Sequence, residues 1–337
     1  MSTAVVLLGT GNVGSALLAR WARLRQQLAF ASLRLIRVAN SRHAWSDAAG
    51  LDPDRLLPSE CDESWPSLER ISPLLAAGGI VIDATASEHV AARHSRWLAQ
   101  GLTVVTANKA GIGGELSRYR AIAAHAQRYG DSATVGAGLP LLRSVRELRA
   151  GGDQILGLAG VLSGSLAWLF NHYDGSRPFS ALVREARARG YTEPDPRLDL
   201  SGQDVKRKLL ALARTAGFAL DAESVDVESL LPENLSALPT AAVDDALTLL
   251  DAPLRERFDA AQQAGKKLRF VARLDERGRA RIGLESLALN DPLAGGEGCD
   301  NRVAIWSCRY RERPLVVQGP GAGAGVTAEP CLTMCCA

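Results

Sequence analysis

The chain has 337 residues, 47% of them apolar and 23% charged, with a formal net charge of +2. That length exceeds one small core and predicts two domains, or one domain with a large insertion. The near-neutral charge argues against a nucleic-acid or membrane surface, and no apolar run approaches the ~18 residues a membrane span needs.

Met1 to Leu8 carry no basic stretch ahead of their short apolar run, which argues against a secretory signal and for a cytoplasmic protein. The six cysteines are Cys61, Cys299, Cys308, Cys331, Cys335 and Cys336. They form no CxxC pair and have no histidine at zinc-ligand spacing, so they read as reduced thiols. The five histidines are scattered and read as surface or packed side chains.

In chain order, residues 4–8 read as a strand, 12–27 as a helix and 33–39 as a second strand. Residues 80–84 and 103–106 read as further strands, with a helix over 88–100 between them. This βαβ alternation predicts a parallel sheet with helices on both faces. From about residue 136 the texture changes. Helical segments dominate 139–217, and strand-like runs at 267–274, 281–289 and 303–310 suggest an antiparallel or mixed sheet. Residues 319–325 form a glycine-rich loop.

Gly9-Thr10-Gly11-Asn12-Val13-Gly14 spell GxGxxG between the first strand and the first helix. That context marks a dinucleotide loop. Gly9 permits the tight turn, Gly11 lets the backbone approach a pyrophosphate, and Gly14 lets the helix pack on the strand. The helix N-terminus then offers free N–H groups to the phosphates. The second strand ends at Asn40-Ser41-Arg42, where an NAD enzyme usually places Asp or Glu. Arg42 suits a 2′-phosphate and favours NADP over NAD; the other reading of Arg42 is a solvated loop residue.

The segment from Ala186 to Lys208 is the most informative. Pro194 and Pro196 exclude a regular helix and predict an extended segment. Glu193, Asp195, Asp199 and Asp204 fall close together, a density that suits an ammonium ligand or, more plainly, a solvated acidic loop. Ser201 reads as the N-cap of a helix reaching to about Ala216. Val205, Leu209 and Leu212 form its apolar stripe, with Asp204 and Lys208 one turn apart on its flank. Spacing alone fits a simple helical ion pair.

This block resembles the signature of the homoserine dehydrogenases, in particular the dehydrogenase half of the bifunctional aspartokinase–homoserine dehydrogenases. Further matches follow in order: the Gly9–Gly14 loop, Val38-Ala39-Asn40-Ser41, Asp83-Ala84-Thr85, Val105-Thr106-Ala107-Asn108-Lys109, Val135-Gly136-Ala137-Gly138-Leu139-Pro140, Leu162-Ser163-Gly164-Ser165 and Asn290-Asp291-Pro292. The resemblance spans about 4–328 and leaves no room in this sequence for a kinase or regulatory domain.

It implies an α/β protein with a Rossmann domain over 1–135, completed by 319–337, and an α+β catalytic and dimerisation domain over 136–318. It implies NAD(P)H-dependent interconversion of L-aspartate 4-semialdehyde and L-homoserine, in threonine and methionine biosynthesis, by a homodimer. Glu193 and Asp199 would hold the substrate amino group, and Tyr191, Gly164 and Ser165 would line its pocket. Asp204 and Lys208 would sit at the reacting carbonyl, and Lys109 would lie between nicotinamide and substrate. Thr85, Ser87, Asn108, Lys109 and Gly319 join the glycine loop in holding the cofactor.

Hydride addition leaves negative charge on the carbonyl oxygen, which needs a proton donor or cation. Lys109 is assigned as general acid/base, with Lys208, oriented by Asp204, positioning substrate and proton; the reverse assignment stays open. The carbonyls of Val135, Ala137 and Leu139 would bind a monovalent cation, but Ser132 stands where the family has an acid, with Asp131 beside it.

The end of the chain departs from the family. Pro330 opposes a continuous helix there, so the Rossmann domain is expected to lack a packing helix. A dinucleotide-binding sensor without strong catalysis is the alternative this tail would support. An amino-acid or diaminopimelate dehydrogenase would share the glycine loop but has no reason to carry the 191–208 block.

Overall fold

The computed structural model describes residues 2–55, 68 and 71–336; Cys61 lies outside them. The chain divides into two compact units, Met1–Gly138 with Ala322–Ala337, and Leu139–Gly321.

The first unit is built on a six-stranded sheet. Its strands are β1 (Thr3–Leu8), β2 (Leu33–Ala39), β3 (Ala44–Ser46), β4 (Ile80–Asp83), β5 (Thr103–Thr106) and β6 (Tyr129–Gly130), in the order β3-β2-β1-β4-β5-β6. All pairings are parallel except the antiparallel edge hairpin of β2 and β3. β1 ends in a continuous apolar run, with Val5 to Leu8 wholly buried, as a central strand covered on both faces requires. The first helix is Asn12–Leu24, and it buries Leu17, Leu18 and Trp21. The stretch expected as one helix over 88–100 is two, Glu88–Ala91 and His94–Ala99.

The expectation of a broken tail is overturned. Ala324–Cys335 is a helix with Pro330 inside it. It packs against Asn12–Leu24 and buries Ala328, Cys331, Leu332 and Cys335 in the core of this unit. Arg20 pairs with Glu329 at 2.9 Å. Proline removes one helical N–H, at a cost of about 3 kcal/mol. Burial of Leu332 and the two cysteines outweighs it, because tertiary packing rather than propensity supplies most helical stability in proteins. The sensor alternative thereby loses the feature that suggested it.

The second unit holds another six-stranded sheet. Its strands are β7 (Ile155–Val161), β8 (Val225–Val227), β9 (Lys266–Leu274), β10 (Ala280–Ala288), β11 (Asp300–Ser307) and β12 (Leu315–Pro320), in the order β12-β11-β7-β9-β10-β8. Pairings are antiparallel except that of β8 with β10, so the sheet is mixed.

The helical reading of 139–217 missed β7, which lies inside the sheet between β11 and β9. Its sequence, ILGLAGV, has neither alternation nor a β-branched run because six of its seven residues are buried. A Cβ at Gly157 would lie 2.9 Å from the Leu274 carbonyl oxygen, so glycine here serves close strand approach. Gly319 and Pro320, read as loop, close β12.

Candidate active site

In the first unit, β1 runs into the glycine loop. Gly9 has φ +97, and a Cβ there would stand 2.8 Å from the Ala84 carbonyl oxygen. A Cβ at Gly14 would be 1.9 Å from the Gly9 carbonyl oxygen, whereas Gly11 faces open space. Two glycines thus close the turn and the third leaves its surface clear, which fits a pyrophosphate laid over the start of Asn12–Leu24. Asn12 is exposed and Val13 half-buried.

A cavity of ≈ 590 Å³ opens beside the loop, lined by Thr10, Ser15, Asn40, Arg42, Trp45 and Asp54 among others. Asn40 stands at the end of β2, where a ribose-binding acid would be. Its Nδ2 donates to Thr10 Oγ1 at 2.8 Å, and its Oδ1 accepts from the Arg42 and His43 amides at 2.8 and 2.9 Å. Asn40 therefore ties the loop to the turn that presents exposed Ser41 and Arg42. A guanidinium edge with no acid at the strand end fits NADP.

The carboxyl ends of β4 and β5 meet at Asp83, which is fully buried. One carboxylate oxygen accepts from the Thr85 amide and hydroxyl at 2.9 and 2.6 Å. The other meets His94 Nε2 and Asn108 Nδ2, each at 2.9 Å. Asn108 also donates to the Ser87 carbonyl at 2.9 Å, and its Oδ1 accepts from the Ala110 amide at 3.0 Å. Thr85, Ser87 and Asn108 are thus brought together on one network, and Lys109 follows Asn108 at the start of the Ala110–Gly113 turn.

Downstream, Gly136 and Ala137 are both left-handed, with φ +74 and +54. Left-handed alanine costs roughly 1–2 kcal/mol, so the loop at Val135 and Ala137 is held by its surroundings. Asp131 is 1% exposed and accepts through its backbone carbonyl from Thr134. Among the described residues, no group of three His, Cys, Asp or Glu could hold a metal ion. Leu139 opens the second unit.

In the second unit, β7 delivers Leu162 and then Ser163, which caps Gly164–His172 by accepting from the Leu166 amide at 3.2 Å. Ser163 and Ser165 hydroxyls are 2.8 Å apart, and Ser165 donates to Asp199 Oδ1 at 2.7 Å. The Glu193 amide donates to Asp199 Oδ2 at 2.9 Å, and the Glu193 side chain is exposed. Burial pushes the Asp199 carboxyl above the usual aspartate value, against the opposing pull of the Ser165 and Glu193 hydrogen bonds. Gly164 packs on Cys299, whose carbonyl oxygen a Cβ would approach to 3.2 Å.

Lys208, on Gln203–Thr215, is 8% exposed. Its Nζ donates to the Leu162 carbonyl at 2.7 Å and pairs with Asp204 at 2.8 Å. Tyr191 is 41% exposed and lies against Trp168, ring centroids 5.3 Å apart.

Three local expectations are corrected. The segment after Tyr191 bends rather than extends: Pro196 has helical dihedrals and starts the turn Arg197–Leu200, since proline's fixed φ suits a helix start. Gly202, left-handed at φ +74, precedes the Gln203–Thr215 helix in place of Ser201, whose hydroxyl donates back to the Leu198 carbonyl. Asp195 is not available to a ligand. Arg197 holds it through bonds of 3.0, 3.1 and 2.6 Å, which keep its carboxyl below the usual range. Gly319 sits in β12, opposite Asn301.

Sequence reasoning missed Ser163, Trp168, His94 and Tyr129 as supports of these sites. Ser163 was legible in the quoted Leu162–Ser165 block. His94 carried no signal, because its partners lie 11 and 35 residues away.

Residues 140–333 match the family model for homoserine dehydrogenase, and residues 9–135 match that for the homoserine dehydrogenase NAD binding domain. The chain is 40% identical over 336 residues to the bifunctional aspartokinase/homoserine dehydrogenase 2 of Escherichia coli, a match covering 96% of this chain and 42% of that protein. It is 36% identical to a homoserine dehydrogenase of Emericella nidulans, covering 96% of this chain and 94% of that one. A crystal structure of a Candida auris protein of unknown function superposes with a TM-score of 0.91 at 31% identity, over 98% of this chain and 96% of that one. The chain thus spans less than half the length of the bifunctional relative.

Proposed function

The chain belongs to the homoserine dehydrogenase family, and on that premise we propose that it interconverts L-aspartate 4-semialdehyde and L-homoserine with NAD(P)H. The step serves threonine and methionine biosynthesis. The observation that carries the proposal is the nearly buried Lys208 ammonium, held between the Asp204 carboxylate and the Leu162 carbonyl. A cation so placed is oriented rather than solvated, and a simple surface ion pair is not.

When bound, the reduced nicotinamide supplies the hydride. The chain's own residues do the rest. Asp199, oriented by Ser165 and the Glu193 amide, and the exposed Glu193 carboxylate hold the substrate ammonium. Gly164, Ser165 and Tyr191 line the pocket. Lys208 sets the carbonyl oxygen, with Asp204 fixing its ammonium. Lys109 exchanges the proton on that oxygen as general acid/base, and the opposite assignment of the two lysines is tested below.

Gly9 to Gly14 receive the pyrophosphate. Asn40, Ser41 and Arg42 receive the adenosine ribose and its 2′-phosphate, making NADP the preferred cofactor. Thr85, Ser87, Asn108 and Gly319 complete the cofactor contacts. The consecutive left-handed residues Gly136 and Ala137 support a monovalent cation on the backbone carbonyls of this loop, with Ser132 standing where the family has an acid. The homodimer rests on the family resemblance.

The test is absorbance at 340 nm with L-homoserine and NADP+ or NAD+ in parallel. A homoserine-dependent rise, faster with NADP+, is expected. Folded protein giving no rise with either cofactor refutes the activity.

A further inference from the structure

Lys109 extends from a short turn at the end of β5, and a catalytic lysine needs its backbone held still. The hydrogen bonds around Asp83 show what holds it. The Asn108 amide donates to Thr106 Oγ1 at 2.8 Å, and the Thr106 hydroxyl donates to the Asp83 carbonyl at 3.1 Å. On the far side of Lys109, the Ala110 amide is bound by the Asn108 side chain. Asn108 can do this only in one orientation, with its Nδ2 toward Asp83 and Ser87.

That orientation depends on Asp83, and Asp83 depends on His94. The carboxylate is wholly buried and its oxygens are shared among Thr85, Asn108 and His94. Buried carboxylate oxygens are costly without hydrogen-bond donors. His94, also wholly buried, therefore presents Nε2–H to Asp83, and its Nδ1 meets the Tyr129 hydroxyl at 3.0 Å. The pair is pressed against the Lys109 turn. A Cβ at Gly111 would lie 2.1 Å from the Tyr129 hydroxyl and 3.1 Å from His94 Nδ1. Only glycine lets the turn sit this close.

The residues that follow Asp83 also reach the glycine loop, since a Cβ at Gly9 would meet the Ala84 carbonyl and Thr85 Cγ2 at 2.8 and 3.0 Å. One buried carboxylate thus joins the cofactor loop to the backbone on both sides of Lys109.

We propose that His94, through Asp83, is the positioning residue that orients Asn108 and fixes the backbone carrying Lys109. This rests on the dehydrogenase reading for its kinetic consequence but not for its structural one, and the two are measured separately.

The experiment compares His94→Leu, which removes the donor, with His94→Gln, whose amide keeps one. The first readout is hydrogen exchange in a peptide spanning 106–113, which needs no substrate. Exchange there is expected to quicken in His94→Leu and to return toward wild type in His94→Gln, with distant peptides unchanged. The second readout is turnover. His94→Leu is expected to lower kcat by roughly tenfold or more, because small misplacements of a reacting group are costly, with KM for homoserine little changed; His94→Gln restores most of it.

Unchanged exchange over 106–113 in His94→Leu overturns the proposal, as does equal impairment of the two variants. Quickened exchange in His94→Leu, alongside a wild type that never oxidises homoserine, upholds the positioning and refutes the dehydrogenase reading instead. Should His94→Leu fail to fold, Tyr129→Phe removes only the hydroxyl behind His94. A local rise in exchange at unchanged overall fold is then expected, and none would refute the proposal.

Discussion

Lys208 and Asp204 are 2.8 Å apart on one helical turn, the lysine side chain 9% exposed and the aspartate 46%. The asymmetry matters. The carboxylate pairs with the ammonium from the solvent side, while the Leu162 carbonyl accepts from it within the fold. Burying a cation without such partners costs several kcal/mol, so each acceptor helps hold the Lys208 ammonium in place.

Replacing Lys208 with Met should therefore remove the oriented cation while preserving most of the side-chain volume. Turnover of homoserine is expected to fall by about 10²–10⁴-fold, with NADPH binding, followed by its fluorescence, unchanged. Asp204→Asn keeps the shape but weakens the pairing and should cost less. Turnover in Lys208→Met within a few-fold of wild type would remove this residue from the mechanism.

Lys109→Met distinguishes the two lysines. As general acid/base, Lys109 moves the proton itself, so its loss should lower kcat by about 10²-fold or more, and added small amines should restore part of it. Should the amines rescue Lys208→Met instead, the assignment is reversed.

Asp199 predicts a pH dependence of substrate capture. Burial raises its carboxyl above the usual value, so the ionised form that holds an ammonium is lost at a higher pH than for an ordinary aspartate. As pH falls through that raised value, kcat/KM for homoserine should drop. Ser165→Ala removes a hydrogen bond that favours ionisation, so the acid limb should move to higher pH. The sign for stability is opposite to that of an ordinary ion-paired acid. The folded state binds the proton more tightly than the unfolded one, so this group's contribution falls as pH rises from the unfolded to the folded value. An acid limb in Ser165→Ala that stays put or moves down would contradict the assignment.

Arg42→Ala should erode discrimination between the cofactors. Losing a charged contact to a 2′-phosphate is worth about 1.5–3 kcal/mol, about ten- to a hundredfold in KM for NADP+, with little change for NAD+. Equal effects on both cofactors would place Arg42 outside phosphate recognition.

Pro330 offers a test of the C-terminal helix. Pro330→Ala restores a helical N–H inside Ala324–Cys335 and should stabilise the protein by about 1–2 kcal/mol after the unfolded chain's gain in freedom, read as a higher urea midpoint. Leu332→Ala, which empties a buried position, should do the reverse by about 2–5 kcal/mol. A lower midpoint in Pro330→Ala would mean that the proline is accommodated without cost.

What the amino-acid order determined by itself is what local chemistry can express. The GxGxxG turn between a strand and a helix, the absence of an acid after β2, and the i, i+4 spacing of Asp204 and Lys208 are readable because each depends on residues within one turn or one strand of each other. The 191–208 block carried the family in the same way. What needed the tertiary structure depends on partners distant in the chain. Strand β7 hides among helices because a doubly buried strand has no alternation to show. The helix at 324–335 forms against its own proline because Asn12–Leu24 and the sheet core bury its side. Four neighbouring carboxylates have four different fates: Arg197 claims Asp195, Lys208 claims Asp204, and Ser165 claims Asp199 from 34 residues away, while Glu193 stays exposed. His94 acquires meaning only beside Asp83. Periodicity reports which face of an element is covered, and only the packed chain decides which groups do the covering.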